Sequence, residues 1–129
     1  LLVERSSLRG LMASDSGFRL SQAVRGPLSL GGLLNEVGYS FLPSPFEPIP
    51  IRVAGGSTQY FTGGYNTRHH GSHLDGGSVD GIQIESDWTY INNGTSGVDG
   101  QAVRQKYAKH VAEKLVEYME RWYGFVLRN

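Results

Sequence analysis

Residues 101–123, QAVRQKYAKHVAEKLVEYMERWY, carry the clearest structural signal in the chain. Apolar and aromatic side chains recur there at steps of three and four residues, which places them on one stripe of an α-helix. They are Val103, Tyr107, Val111, Leu115, Tyr118 and Trp122. Asp99 stands in a suitable N-cap position, and Glu117 precedes Arg121 by four residues, which favours an ion pair. The stretch predicts a closing amphipathic helix whose stripe faces the core.

Residues 79–86, VDGIQIES, are the best candidate for a strand. In an extended chain Ile82 and Ile84 fall on one face, and Gln83 and Glu85 fall on the other. This alternation is typical of a strand that is buried on one side.

Further elements are predicted nearer the start of the chain. Residues 1–25 are expected to be helical with a break near residues 14–17, and Gly26-Pro27 is expected to open a helix that Gly38 ends. Residues 39–42 resemble a short buried strand. The fold class that we predict is α/β, with a small mixed sheet flanked by helices in a single domain over residues 1–129.

Two stretches have no regular pattern. Four prolines lie within residues 43–50 and exclude helix and sheet there. The stretches 43–58 and 86–100 are both long for irregular segments of a compact domain, unless they are functional or covered by something else. We therefore expect both to lie in contacts with a partner.

Composition excludes several classes of protein. Lysine plus arginine equal aspartate plus glutamate, at 12 each, so the chain has no basic surplus for nucleic acid or an anionic membrane. No apolar run approaches the roughly 18 residues of a membrane span. Cysteine is absent, so disulfides and thiolate metal sites are excluded.

The first residues suggest that the chain comes from a larger product. Leu1-Leu2-Val3 contains no methionine and begins no signal-like segment. We expect either that an upstream part was removed or that the sequence is one part of a longer protein. Asn93 begins an Asn-Gly-Thr sequon, which would carry a glycan only in a secreted protein. An extracellular location is therefore preferred to a cytoplasmic one.

Reactive side chains gather between residues 60 and 71, YFTGGYNTRHHG, which we predict to be a glycine-rich loop. Tyr65, Arg68, His69 and His70 offer hydrogen-bond donors, a fixed cation and bases. The neighbouring glycines allow the backbone to approach a ligand closely.

Glu85 is the second candidate feature. It stands near the end of the predicted strand, which is where ligand crevices form in α/β sheets. Partial desolvation at that position would suit its carboxylate to act as a general base.

These motifs resemble the C-terminal half of N-formylglutamate amidohydrolase-like proteins. The resemblance covers most of the chain, including the closing helix and Tyr123-Gly124. The matching segments are GPLSLGGLL (26–34), VGY (37–39), PSP (43–45), YFTGGYNTRHHG (60–71) and IQIE (82–85). The family resembles zinc carboxypeptidases and aspartoacylases, so the resemblance implies a partial zinc-exopeptidase-like domain.

The same resemblance implies roles for individual residues. Glu85 matches the general base that activates a zinc-bound water. Arg68 would pair with a substrate carboxylate, for which the planar guanidinium fork is well suited. Tyr65 would line the pocket.

The zinc ligands that the resemblance implies are a His-x-x-Glu motif and a later histidine, all upstream of this chain. The one His-x-x-Glu present, His110 to Glu113, lies within the closing helix, so we interpret both residues as helix-surface or helix-flank residues. We expect zinc in the intact family protein and none in this chain alone, which would therefore not be catalytic by itself.

Each site residue also has a structural alternative. Glu85 could be a buried carboxylate satisfied by loop amides, Tyr65 could pack against the sheet, and Arg68 could brace the loop through carbonyl groups. His69, His70 and His73, with Asp75, form a metal-binding alternative, although adjacent histidines on an extended segment point to opposite faces.

Three functions remain open. The chain could be the half of an amidohydrolase for N-acyl amino acids, completed by a missing N-terminal half. It could be a non-catalytic structural subunit of a self-assembled, extracellular oligomer or filament. It could also be a small ligand- or metal-binding module built on the histidines. The partners that we predict are copies of the chain or the missing half, with residues 43–58 and 86–100 in the contact and Tyr60 and Phe61 close by.

Overall fold

The computed structural model of the chain describes residues 7–12, 17–48, 51–52, 58–59, 64–72, 79–91 and 100–127. Helices make up most of the regular structure in these ranges. In chain order the elements are a 3-10 helix (Gly10–Met12), α1 (Gly17–Arg25), α2 (Leu30–Glu36), β1 (Ile51–Arg52), β2 (Thr58–Gln59), α3 (Tyr65–His70), α4 (Trp88–Ile91) and α5 (Gly100–Tyr123).

The predicted α/β fold with a small mixed sheet is wrong. In the part of the chain that the structure describes, the only ladder is the antiparallel pair of β1 and β2, which joins Ile51 to Gln59 and Arg52 to Thr58. The fold is therefore mostly helical.

The two strands predicted at residues 39–42 and 79–86 do not form. A β-strand forms only where its backbone N–H and C=O groups hydrogen-bond to the backbone of a neighbouring strand. Within the described ranges, residues 79–86 have two such contacts, an isolated parallel bridge between Gly71 and Val79 and a hydrogen bond from Gly81 N to Ser7 O. These two contacts do not continue into a ladder among the described residues, so the segment does not form a strand there.

The closing helix is confirmed as α5, and its stripe forms the main core with α2. Tyr118 is fully buried and Tyr107 is 7% exposed, whereas Leu115, predicted on the same stripe, is 37% exposed. The buried residues of this cluster are Leu30, Leu33, Leu34, Tyr39, Tyr107 and Tyr118. The N-cap predicted at Asp99 lies outside the described residues.

Lys114 joins α5 to α2 on the surface of the molecule. Its ammonium group lies 2.8 Å from Glu117 and 3.2 Å from Glu36. These hydrogen bonds raise the pKa of Lys114, with that to Glu117 contributing most and partial burial opposing the shift. The carboxylate of Glu117 therefore pairs with Lys114, which lies three residues before it. The partner predicted from the sequence was Arg121, four residues after Glu117.

α2 begins and ends at residues with identifiable capping roles. It starts at Leu30 and not at Pro27, because the buried Ser29 is the N-cap and its hydroxyl accepts a hydrogen bond from Gly32 N at 3.0 Å. The end predicted at Gly38 is confirmed, since Gly38 adopts a φ of 91° that favours glycine. At Gly31 a side chain would collide with the backbone of Pro43, so glycine allows α2 to lie against the following loop.

The N-terminal part forms a second, smaller core. Leu8 and Leu20 are buried together, with Leu11 and Val24 packed around them. The helical prediction for residues 1–25 is confirmed for the 3-10 helix and α1. Residues 1–6 and the break predicted near residues 14–17 lie largely outside the described ranges.

The proline-rich loop is irregular as predicted, within its described part, residues 43–48. Ser44 is fully buried. Its N–H donates to Glu47 O at 3.1 Å, and its hydroxyl accepts from Glu47 N at 3.2 Å. Among the helices that the structure describes, none is long and apolar enough to cross a membrane.

Candidate functional site

The predicted glycine-rich loop contains a short helix, α3. Gly64 is its N-cap residue and Gly71 its C-cap, and the backbone N–H of Gly71 donates to Thr67 O at 3.2 Å. The Thr67 hydroxyl donates to Gly64 O at 3.1 Å. The flanking glycines indicated a loop, and six residues are too few for a helical period to be recognised.

α3 lies against residues 79–85 at three points along its length. Its C-terminal end is joined to that segment by the bridge between Gly71 and Val79. In the middle, a side chain at Gly81 would lie 3.2 Å from the Thr67 methyl group. At the N-terminal end, a side chain at Gly64 would collide with the amide of Gln83. Two segments that the sequence singled out separately are thus neighbours.

Tyr65 and Arg68 are both exposed on α3. The Tyr65 side chain is 67% exposed, and its ring stacks on that of His69 with 4.1 Å between the ring centroids. It therefore does not pack against a sheet. Arg68 is also exposed to solvent.

Glu85 is exposed and bonded to a neighbour on the same segment. Gln83 Nε2 donates to Glu85 Oε1 at 3.2 Å. From residue 83 to residue 87 exposure alternates, with Ile84 and Ser86 partly buried and the residues between them exposed. The predicted facing therefore holds for Ile84 and Glu85 but not for Ile82, which is 42% exposed. The predicted partial desolvation of Glu85 and the alternative of a buried carboxylate are both wrong.

The histidines do not form a metal site in the described ranges. His69 and His70 are exposed on α3, and His73 and Asp75 lie outside the described residues. Across these ranges, no group of three histidine, cysteine, aspartate or glutamate side chains could hold a metal ion. The described residues thus provide no ligand set for zinc, and the ligands that the resemblance implies would lie upstream of this chain.

His110 belongs to an aromatic cluster between α2 and α5. Its Nδ1 lies 3.1 Å from the Tyr39 hydroxyl, while Glu113 pairs with Lys109 at 3.5 Å. The ring centroids of Tyr39, Tyr90 and Tyr107 are each 5.1 Å apart. Burial raises the pKa of Tyr39, and the charges of the other two tyrosines add to the shift.

Ser86 connects the Glu85 segment to this cluster. Its hydroxyl lies 2.7 Å from the Tyr107 hydroxyl, and Ile84 packs against the main core. Glu85 therefore projects to solvent between two residues that are fixed on the protein.

Asp80 is the most heavily bonded side chain of the region. Its Oδ1 accepts from Gly10 N at 2.8 Å and from the buried Ser72 hydroxyl. Its Oδ2 accepts from Leu11 N at 2.7 Å and from the Tyr123 hydroxyl at 2.9 Å. Burial raises the pKa of Tyr123, and the hydrogen bond to Asp80 raises it further.

Sequence reasoning did not single out Asp80 or Ser86. The one local signal was a carboxylate beside glycine and isoleucine residues, since a partly buried acid needs hydrogen-bond donors. Asn93, the predicted glycosylation site, lies outside the described residues.

A surface pocket of about 330 Å³ lies elsewhere in the described structure. It is lined by Leu28, Leu33, Glu117, Glu120 and Arg121. It includes none of the predicted site residues.

Comparison of the chain with protein-family models, curated proteins and solved structures finds no match.

Proposed function

We propose that this chain carries the substrate-binding side of an amide hydrolase acting on N-acyl amino acids, and that it does not catalyse the reaction alone. Arg68 binds a substrate carboxylate, Tyr65 borders the bound ligand, and Glu85 is the general base of the completed site. A companion polypeptide, such as the missing N-terminal half, supplies the rest.

The proximity of α3 to residues 79–85 is the observation that carries this proposal. Gln83 contacts both Gly64, which precedes Tyr65, and Glu85, so it links the two segments at one end. Thr67, which precedes Arg68, contacts Gly81. The three residues that the resemblance selects therefore belong to adjoining segments, and all three side chains are exposed.

The exposure of these three side chains agrees with a site that a second polypeptide completes. A guanidinium open to water binds a carboxylate weakly, because both ions remain hydrated. A second protein surface that excludes water would strengthen the pairing. The chain alone is therefore expected to bind carboxylates with low affinity.

The first prediction concerns binding. Titration of the ¹⁵N-labelled chain with N-formyl-L-glutamate should give saturable shifts at α3 and at residues 81–85. Arg68→Ala should weaken this binding by up to about fivefold, because an exposed ion pair contributes up to about 1 kcal/mol. The N-formylglutamate diamide, which lacks both carboxylates, should bind the parent chain as weakly as the acid binds the variant.

Arg121→Ala is the matched control, since Arg121 is also exposed but lies on α5. It should bind like the parent chain. Equal weakening by the two substitutions would show a general charge effect and would contradict the proposed site.

A second prediction concerns turnover. The purified chain should not hydrolyse N-formyl-L-glutamate with or without added Zn²⁺, whereas the chain with its companion half should. In that assembly Glu85→Gln should lower kcat far more than it changes KM, because a base acts in the transition state. Zinc-dependent turnover by the chain alone, abolished by Glu85→Gln, would refute this division of labour.

We also propose a second function, as a subunit that associates with copies of itself. Its support is the exposure of large apolar side chains in the two stretches predicted to be contacts. Phe46 is 81% exposed, Trp88 68% and Ile91 47%. Equal numbers of acidic and basic residues leave no net charge to keep copies apart.

Sedimentation velocity over a range of concentrations tests this second function. Phe46→Ser combined with Trp88→Ser should shift the chain toward monomer. Val126→Ser is the control, because Val126 is 71% exposed but lies after α5. A monomer at all concentrations, or a complex formed only with a different polypeptide, would exclude self-association.

A further inference from the structure

Asp80 joins three parts of the chain at one carboxylate. Its partners are the backbone of residues 10–11, Ser72 directly after the C-cap of α3, and Tyr123 at the end of α5. Four donors fill both carboxylate oxygens, and hydrogen bonds to an ionised acceptor are roughly twice as strong as neutral ones.

Further hydrogen bonds beside Asp80 connect the same three-part region. Gly81 N donates to Ser7 O at 2.9 Å, and the Ser72 hydroxyl is within 3.0 Å of the same carbonyl oxygen. Residues 72 and 79–81 therefore share one set of anchors. These anchors lie at the C-terminal end of α3, where Gly71 is bridged to Val79.

The far end of the segment is fixed differently. Ile84 packs on the main core and Ser86 bonds Tyr107 of α5. Between these anchors, Gln83 and Glu85 project to solvent. Loss of the Asp80 anchor would leave these distal anchors in place and loosen residues 79–81 against the end of α3.

We infer that Asp80 is a positioning residue of the candidate site: its carboxylate holds residues 79–81 against the end of α3 and thereby fixes Glu85 relative to Arg68 and Tyr65. Asp80 does not touch the ligand. The choice of ligand rests on the proposed function. The anchoring of residues 79–81 by Asp80 rests on the hydrogen bonds alone.

Asp80→Asn tests the structural part without any ligand. The amide nitrogen cannot accept the bonds now made to one of the two oxygens, so residues 79–81 should open more often. Hydrogen exchange of the Gly81 amide, which donates to Ser7 O, should accelerate roughly tenfold. Ser72→Ala and Tyr123→Phe, which each remove one donor, should produce smaller accelerations at the same amide. These two variants test the same anchoring role if the Asp80→Asn variant does not fold.

Two controls separate positioning from general destabilisation. Asp87→Asn removes a carboxylate nearer in sequence to Glu85, but Asp87 bonds only locally to Thr89 among the contacts described. Ser29→Ala loosens α2 and does not touch the site. Both should leave exchange of the Gly81 amide within about twofold of the parent after correction for global stability. Equal acceleration in Asp80→Asn and Ser29→Ala would overturn the inference.

Ligand binding then tests the link to function. Asp80→Asn should weaken binding of N-formyl-L-glutamate by severalfold, and Asp87→Asn should leave it unchanged. Faster exchange with unchanged affinity would overturn the positioning role. Absence of binding by the parent chain would refute the proposed function instead, while the exchange result would still decide whether Asp80 anchors the segment.

Discussion

At the scale of single residues, the Tyr118 hydroxyl is the least satisfied polar group of the core. The side chain is fully buried, and its oxygen has no hydrogen-bond partner among the described residues. Burial raises the pKa of this hydroxyl, with a smaller contribution from the charge of Asp80. A buried donor without a partner costs about 1–3 kcal/mol. Burial of the hydroxyl therefore lowers the stability of the folded chain, whereas burial of the ring raises it.

Tyr118→Phe should accordingly leave the free energy of unfolding unchanged or raise it by up to about 1 kcal/mol. Tyr107→Phe is the matched comparison, because that hydroxyl is bonded to Ser86, and should lower the free energy by about 1 kcal/mol. Urea unfolding followed by fluorescence measures both. A similar loss in the two variants would show that the Tyr118 hydroxyl has a partner, such as a buried water.

At the scale of elements, features that depend on neighbouring residues in the sequence were predictable, and features that depend on contacts between distant residues were not. α5 was recognised because its stripe repeats over six turns, whereas α3 was too short to show a period. The facing of Ile84 and Glu85 follows from alternation, but a ladder depends on neighbours that the segment cannot specify. The choice of Tyr65, Arg68 and Glu85 came from a resemblance. The Asp80 contacts, with partners as far as 70 residues away, left no local pattern.

The start of α2 provides a prediction at this scale. Ser29→Ala removes the acceptor for Gly32 N and should lower the free energy of unfolding by about 1 kcal/mol. Ser40→Ala is the control, since Ser40 is exposed just beyond the same helix, and should change it by less than about 0.5 kcal/mol. The result can be read from urea unfolding curves. Equal effects would mean that the cap does not stabilise α2.

At the scale of the whole molecule, stability should fall at alkaline pH. The pKa values of Tyr39, Tyr118, Tyr123 and Lys114 are all raised in the folded chain. In the unfolded chain such groups lose their protons near pH 10. The stability they contribute is therefore complete below about pH 10 and is lost as the pH rises through the higher folded values.

Urea unfolding between pH 8 and pH 11 measures this loss. The free energy of unfolding should be nearly constant at first and then decrease, and Tyr118→Phe with Tyr123→Phe should make the decrease shallower. A free energy that rises above pH 10 would contradict the direction of the shifts.

The Asp80 cluster also has a topological consequence. Because Gly10 and Tyr123 bond to the same carboxylate, the first described segment and the end of the last helix lie side by side. Segments that lie close together can be joined in a circular permutant. A permutant in which a flexible linker joins the segment before Gly10 to the segment after Tyr123, and which opens at the exposed Phe46 loop, should keep the helical circular dichroism of the parent. A permutant that does not fold would show that the order of connection, and not only this proximity, is needed.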